Sequence, residues 1–271
     1  MTALIANARM YAVAPEIEAA WRALLAHVAD DAGVPLRYLP YPAPQPLEYL
    51  WPRADLGCVL MCGYPIATRL ADVTPIAAPI PSTAWARGEA LYRTDFIVRK
   101  DSRFNTLAEA FGGRFGWTVP HSHSGFNAPR HHLLRYRKAG QQSLFAGVAR
   151  DLVTARHVLD CVVSGEIDVG PLDAFWHHLL RLHRPECVAD IRVIESTDLA
   201  PMPAFVAGPA MPAGDVERLR RAFARAREAQ WFAQLAAPLA VSGFAPVTTD
   251  SFGLTLRWRD AALAAAYPAP E

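Results

Sequence analysis

Hydrophobic and polar positions change period along this chain, and each change marks an element. Residues 3–12 open as an apolar run with strand character. Ile17, Ala20, Trp21, Leu24, Leu25 and Val28 then recur at helical spacing, which predicts a helix over 15–32 ended by Gly33-Val34-Pro35. A second strand is expected at 36–39. The proline-rich run YPAPQPLEYLWP reads as a connection, and DLGCVLM at 55–61 as a buried strand whose continuation, Cys62-Gly63-Tyr64-Pro65, turns. Further strands are expected near 75–79, 91–99, 114–119, 167–170, 190–194 and 203–207. Helices are expected near 105–111, 124–137, 155–164 and 173–183. Asn105 is the expected N-cap of the helix at 105–111, and Gly112 its terminating glycine. A later helix opens near Asp215, with Val216, Leu219, Phe223 and Ala226 on its apolar side. This alternation of strand and helix predicts α/β layers with largely parallel sheets.

One loop stands out for its chemistry. Pro120-His121-Ser122-His123-Ser124-Gly125 joins a strand to a helix start. The first N–H groups of a helix lack internal partners and carry the positive end of its dipole, so hydroxyls and a glycine there make an anion cradle.

Composition narrows the function classes. The 271 residues are 52% hydrophobic and 20% charged, enough apolar surface for a folded core in one large domain or two lobes. The formal net charge is +1, which gives no support for nucleic-acid binding. Arg218, Arg220, Arg221, Arg225 and Arg227 read as a solvated helix face. No run of about 20 apolar residues is present to insert in a membrane. Met1 leads directly into an apolar strand with no secretory leader pattern, so the expected compartment is the cytoplasm for the sequence as given, and the periplasm if the chain was trimmed. Cys58, Cys62, Cys161 and Cys187 are expected to be reduced thiols, and they lack zinc spacing. The pairs His131-His132 and His177-His178 each point about 100° apart on a helix, so no metal site is expected. There is no Gly-x-Ser-x-Gly elbow, Walker loop or dinucleotide fingerprint. Hence no catalytic residue and no cofactor are assigned.

Three stretches together resemble a known family. They are Tyr92 through Arg99-Lys100-Asp101-Ser102, the cradle followed by Ala128-Pro129-Arg130, and His157 followed by Val163-Ser164-Gly165-Glu166-Ile167-Asp168-Val169-Gly170-Pro171-Leu172-Asp173. A weaker echo runs from Ser196 to Pro201-Met202-Pro203. The pattern is similar to the phosphate/phosphite/phosphonate solute-binding components of ABC transporters. That resemblance implies a two-lobed α/β chain of the type-2 periplasmic-binding-protein fold, with a ligand cleft between lobes. Lobe one would comprise 1–94 plus 200–271, and lobe two 95–199. It also implies a small anionic ligand, a transporter permease as partner, and ligand contacts from Ser122, His123, Ser124, Gly125, Tyr92, His157, Asp173, Tyr64 and Arg9. The family commonly carries Ser-Thr-Ser-Gly in the cradle, so His123 is a departure. The Pro-Met-Pro segment also lacks an acidic residue that some members place there. Two alternatives stay open on the same fold: a cytosolic lyase or synthase acting on a small carboxylate or heterocycle, and a ligand-sensing module. Whether the chain is an enzyme is left undecided, with a binding role preferred.

Overall fold

The computed structural model describes residues 3–138, 141 and 143–271, and within it the chain divides into two compact units. One unit comprises residues up to Tyr92 and Pro201–Gly253; the other comprises Arg93–Ala200 and Leu254–Glu271.

The first unit begins with β1 (Leu4–Asn7), which ends earlier than the apolar run suggests because Arg9–Tyr11 winds into a single 3-10 turn. Helix α1 (Pro15–Ala32) has the predicted bounds. Pro15 occupies its first turn, where a missing N–H costs nothing, and Gly33 closes it at φ +61°. Then come β2 (Leu36–Tyr38), β3 (Leu56–Met61), the short α2 (Gly63–Ala67) and β4 (Thr74–Pro81). The segments crossing to and from the second unit carry the two-residue strands β5 (Leu91–Tyr92) and β11 (Ala200–Pro201). After the return, β12 (Ala204–Ala207), α6 (Ala213–Arg225), α7 (Phe232–Leu239) and β13 (Val241–Pro246) complete the first unit. Its six-stranded sheet has the order β13-β4-β12-β3-β1-β2. Trp21 of α1 packs edge-on to Phe205 at 5.9 Å, and Phe205 stacks on Phe223 of α6 at 5.1 Å, so helices and sheet share one aromatic core.

The second unit is built on a three-stranded sheet, β10-β6-β9, made from β6 (Thr94–Arg99), β9 (Gly170–Asp173) and β10 (Ile191–Ser196). A parallel pair, β7 (Arg114–Gly116) and β8 (Gly147–Ala149), lies beside it through a bridge from Phe115 to Val169. Helices α3 (Ala128–Leu133), α4 (Ala155–Ser164) and α5 (Ala174–His183) cover these strands. The terminal α8 (Gly253–Ala264) belongs to this unit from Leu254 onward.

Three expectations are corrected. The sheets are mixed rather than largely parallel: β1 pairs in parallel with β2 and β3, while β12, β13 and the whole β10-β6-β9 sheet are antiparallel. Chain segments returning from the other unit enter in the opposite direction, which strand–helix alternation does not reveal. The helix expected at 105–111 shrinks to one 3-10 turn, Ala108–Ala110, and Thr106 rather than Asn105 offers the side-chain acceptor, to the Glu109 N–H. Residues 254–271 were expected with lobe one. They lie in the second unit because Thr255, Trp258 and Ala262 bury there at helical spacing, with Tyr267 buried beyond the helix end. Of the four free cysteines, Cys58, Cys62 and Cys161 are buried and Cys187 is half-buried.

Candidate functional site

The cradle loop folds as its residues dictate. Ser122 caps the helical run, its Oγ accepting the Gly125 N–H at 3.0 Å. The first turn is wound wider than an α-turn, with the Asn127 N–H reaching back to the Ser122 carbonyl at 3.0 Å. Gly125 faces Thr118 so closely that a Cβ there would lie 2.0 Å from Thr118 Oγ1. The glycine is therefore required for close approach rather than for an unusual φ. Ser122 and Ser124 are half-buried, while His123 between them is buried.

His123 points away from solvent. Its ring stacks on Trp258 of α8 at 5.3 Å, and His131 lies against the same indole at 4.7 Å. The tautomer follows from donors that cannot be reversed. Arg130 is donor-only, so its bond to Asn127 Oδ1 at 2.8 Å orients that amide. Asn127 Nδ2 then donates to the Thr255 carbonyl at 2.9 Å and to His123 Nδ1 at 3.2 Å. An accepting Nδ1 leaves the proton of a neutral imidazole on Nε2. Burial, reinforced by His131, drives the His123 pKa down to about 3, so the ring is neutral at physiological pH.

Strand β6 brings a second set of groups beside the cradle. Thr94 Oγ1 donates to the Ser124 carbonyl at 3.0 Å, and Thr94 stands opposite Asp173 in the β6–β9 ladder. Asp173 caps α5, its Oδ1 accepting the Phe175 and Trp176 N–H groups at 2.9 and 3.0 Å. The Thr94 backbone N–H donates to Thr197 Oγ1 at 3.0 Å, and the Thr197 N–H donates to the Thr94 carbonyl at 2.9 Å. Asp95 takes Ser196 Oγ–H at 2.7 Å and lies 3.1 Å from His177 Nδ1 and 3.5 Å from Arg93 Nε.

The structure thus groups Ser122, His123, Ser124, Gly125 and Asp173 in the second unit. His157, also in this unit, is exposed at the start of α4. Its Nδ1 lies 3.1 Å from the Leu152 carbonyl, so its visible partner is a neighbouring loop. The first unit holds the other three candidates. Tyr92 is buried, with its hydroxyl 3.8 Å from Cys62 Sγ, and Tyr64 follows Cys62 by two residues in α2. Arg9 is half-buried, with its guanidinium 5.9 Å from the centre of the Tyr41 ring. Burial pushes the Arg9 pKa down, while Tyr41 and Glu48 oppose that shift. Sequence reasoning did not single out Thr94, Thr118, Asn127 or Trp258. The buried spacing Thr255, Trp258, Ala262 is a readable signal for α8, whereas nothing local marks Thr94. Among the described residues, no group of His, Cys, Asp and Glu is arranged to hold a metal ion, and no helix is long and apolar enough to cross a membrane.

A two-lobed α/β chain with a hydroxyl-lined turn opening a helix fits a solute-binding protein. The sequence model for "ABC transporter, phosphonate, periplasmic substrate-binding protein" matches residues 11–252, and the chain belongs to that family. The family favours the solute-binding reading over the enzyme and sensor alternatives. Solved structures share the fold. A binding-protein component of an ABC phosphonate transporter from Pseudomonas aeruginosa superposes with a TM-score of 0.81 at 16% identity, covering 97% of this chain and 87% of that one. PhnD1 from Prochlorococcus marinus, in complex with methylphosphonate, gives 0.77 at 16% identity, covering 96% and 97%. A Xanthomonas citri protein bound to ATP gives 0.68 at 18% identity, covering 98% of each chain. No curated protein matches the chain significantly.

Proposed function

We infer that this protein captures a small phosphonate-class oxyanion on the Ser122–Gly125 turn and hands it to a transporter permease in the periplasm. The observation that carries this reading is the arrangement of the turn itself. Two half-buried serine hydroxyls flank a histidine whose ring is committed to the interior. Their O–H groups, with the N–H groups of the turn, form a donor set suited to tetrahedral oxygens. His123 then serves as a wedge that holds the turn against Trp258, and it contributes no charge to the ligand. The known binding of methylphosphonate by the Prochlorococcus relative makes that compound the first probe.

Calorimetric titration of the full chain with methylphosphonate tests the reading. Ser124→Ala should weaken binding by about tenfold or more, the worth of one hydrogen bond to a charged group. Unchanged affinity in Ser124→Ala, with heat released by the wild type, would place the ligand elsewhere.

A further inference from the structure

The arginines of α6 are not equivalent in the folded chain. Arg220 pairs with Glu217 and donates from Nε and Nη2 to the Pro75 carbonyl. Arg218, Arg221 and Arg225 instead follow one another at spacings of three and four residues, so they form a single row along the helix. That row and the C-terminal end of α1 line one cleft of about 420 Å³, within the ordinary range of a small-ligand site. Every residue of the cleft belongs to the first unit.

Like charges stacked at these spacings destabilise a helix unless something neutralises them. The chain neutralises the two ends of the row and leaves the middle. Arg218 pairs with Asp215 at 2.8 Å, and its Nε donates at 3.0 Å to the Ala32 carbonyl, an acceptor that the end of α1 leaves without an intrahelical partner. Arg225 meets Glu228 at 3.6 Å, an exposed pair of the kind that contributes little and exchanges readily with a competing oxyanion. Arg221 stands between them. Among the described residues it makes no ion pair and no side-chain hydrogen bond. The acid four residues before it, Glu217, is taken by Arg220, and the residue four after it is Arg225. Asp31 of α1 lines the same cleft and also has no ion pair among the described residues, so the cleft is not closed by its own charges. The two exposed acids that line it, Asp31 and Glu228, disfavour a long uniform polyanion or a sheet of acidic headgroups. A compact anion can keep its charge on the arginine row.

We propose that this cleft is a second binding site, which takes a compact diphosphoryl anion on the guanidinium groups of Arg221 and Arg225. Two forks one helical turn apart suit two linked phosphoryl groups, because each fork offers paired N–H donors to the oxygens of one group. The site goes beyond the phosphonate reading and does not depend on it, since none of its residues is among the candidate solute contacts.

The test is calorimetric titration of the full chain with pyrophosphate at physiological salt, in the wild type, Arg221→Gln and Glu228→Gln. The wild type should bind pyrophosphate at least tenfold more tightly than orthophosphate. Arg221→Gln should weaken pyrophosphate binding at least tenfold. Glu228→Gln should strengthen it, because Arg225 loses its competing partner. Saturating methylphosphonate should leave pyrophosphate binding unchanged, and Arg221→Gln should leave methylphosphonate binding unchanged. Thermal unfolding of each unliganded variant checks that the fold persists. No heat with pyrophosphate, equal affinity in Arg221→Gln, or loss of pyrophosphate binding under saturating methylphosphonate overturns the second site. Binding to phosphatidylglycerol vesicles without binding to pyrophosphate overturns it too, by making the row a membrane contact. Absence of methylphosphonate binding removes the phosphonate reading alone, and the pyrophosphate titrations still decide the cleft.

Discussion

At the scale of single residues, two positions hold the cradle in shape by opposite means. Gly125 works by lacking a side chain, since a methyl would lie 2.0 Å from Thr118 Oγ1. Gly125→Ala must displace Thr118 or the turn, and should destabilise the chain by about 1–3 kcal/mol in a denaturant titration. His123 works by staying neutral. The folded chain holds this group protonated only below about pH 3, whereas an unfolded histidine takes a proton near pH 6.5. As pH falls below about 6.5, the unfolded state binds the extra proton and stability drops, by up to about 1.4 kcal/mol per pH unit for this group, until the folded chain protonates as well. Burial lowers the His132 pKa too, so the slope sums over more than one ring. Unfolding free energies measured at pH 7, 6 and 5 should therefore decline, and the decline should be shallower in His123→Gln. Equal slopes in both proteins would rule out a buried neutral ring at this position. The family resemblance brought Ser122, His123 and Ser124 together in the sequence. The outward serines and the inward histidine are set by Trp258, which lies 135 residues beyond His123.

At the scale of elements, α8 is the one whose place is least obvious from its own residues. Its apolar side is narrow, and its neighbours in sequence belong to the first unit. What seats it is a set of long-range bonds. Asn127 reaches the Thr255 carbonyl and Arg130 the Pro268 carbonyl, both within 2.9 Å, while Arg137 bonds the Ala265 carbonyl and Arg150 pairs with Glu271. Trp258→Ala removes a nearly fully buried side chain against which two imidazoles stack. It should cost about 3–5 kcal/mol of stability by denaturant titration and weaken ligand binding, because the turn loses its backing. Full stability in that variant would mean that these side-chain bonds alone seat the helix. By contrast, α1 was legible from its periodicity and end signals, and its observed bounds match them.

At the scale of the whole molecule, ligand binding is linked to folding. A solute that binds the native chain alone raises its stability by about 2.7 kcal/mol at 100 times its dissociation constant, which moves the melting temperature of a chain this size by several degrees. A thermal scan with the preferred phosphonate should show that rise, and Ser124→Ala should lose most of it. Inorganic phosphate producing the same rise at the same concentration would argue for a phosphate receptor instead. The exchange of chain segments between the two units also explains why a first-to-last reading of strands misjudged the sheets. The first unit takes strands from both ends of the sequence, and the second takes its closing helix from the far end.

By itself, the sequence determined what local forces decide: the α/β class, the run of α1 and its glycine stop, the serine cap before Gly125, and, through family resemblance, a two-lobed binding protein. All but the last of these depend on residues within a few turns of one another, where periodicity, capping and turn chemistry act directly. Long-range packing alone set strand direction, the allegiance of residues 254–271 and the inward turn of His123. Each depends on contacts between residues far apart in the chain, and such contacts leave no periodic trace in the sequence.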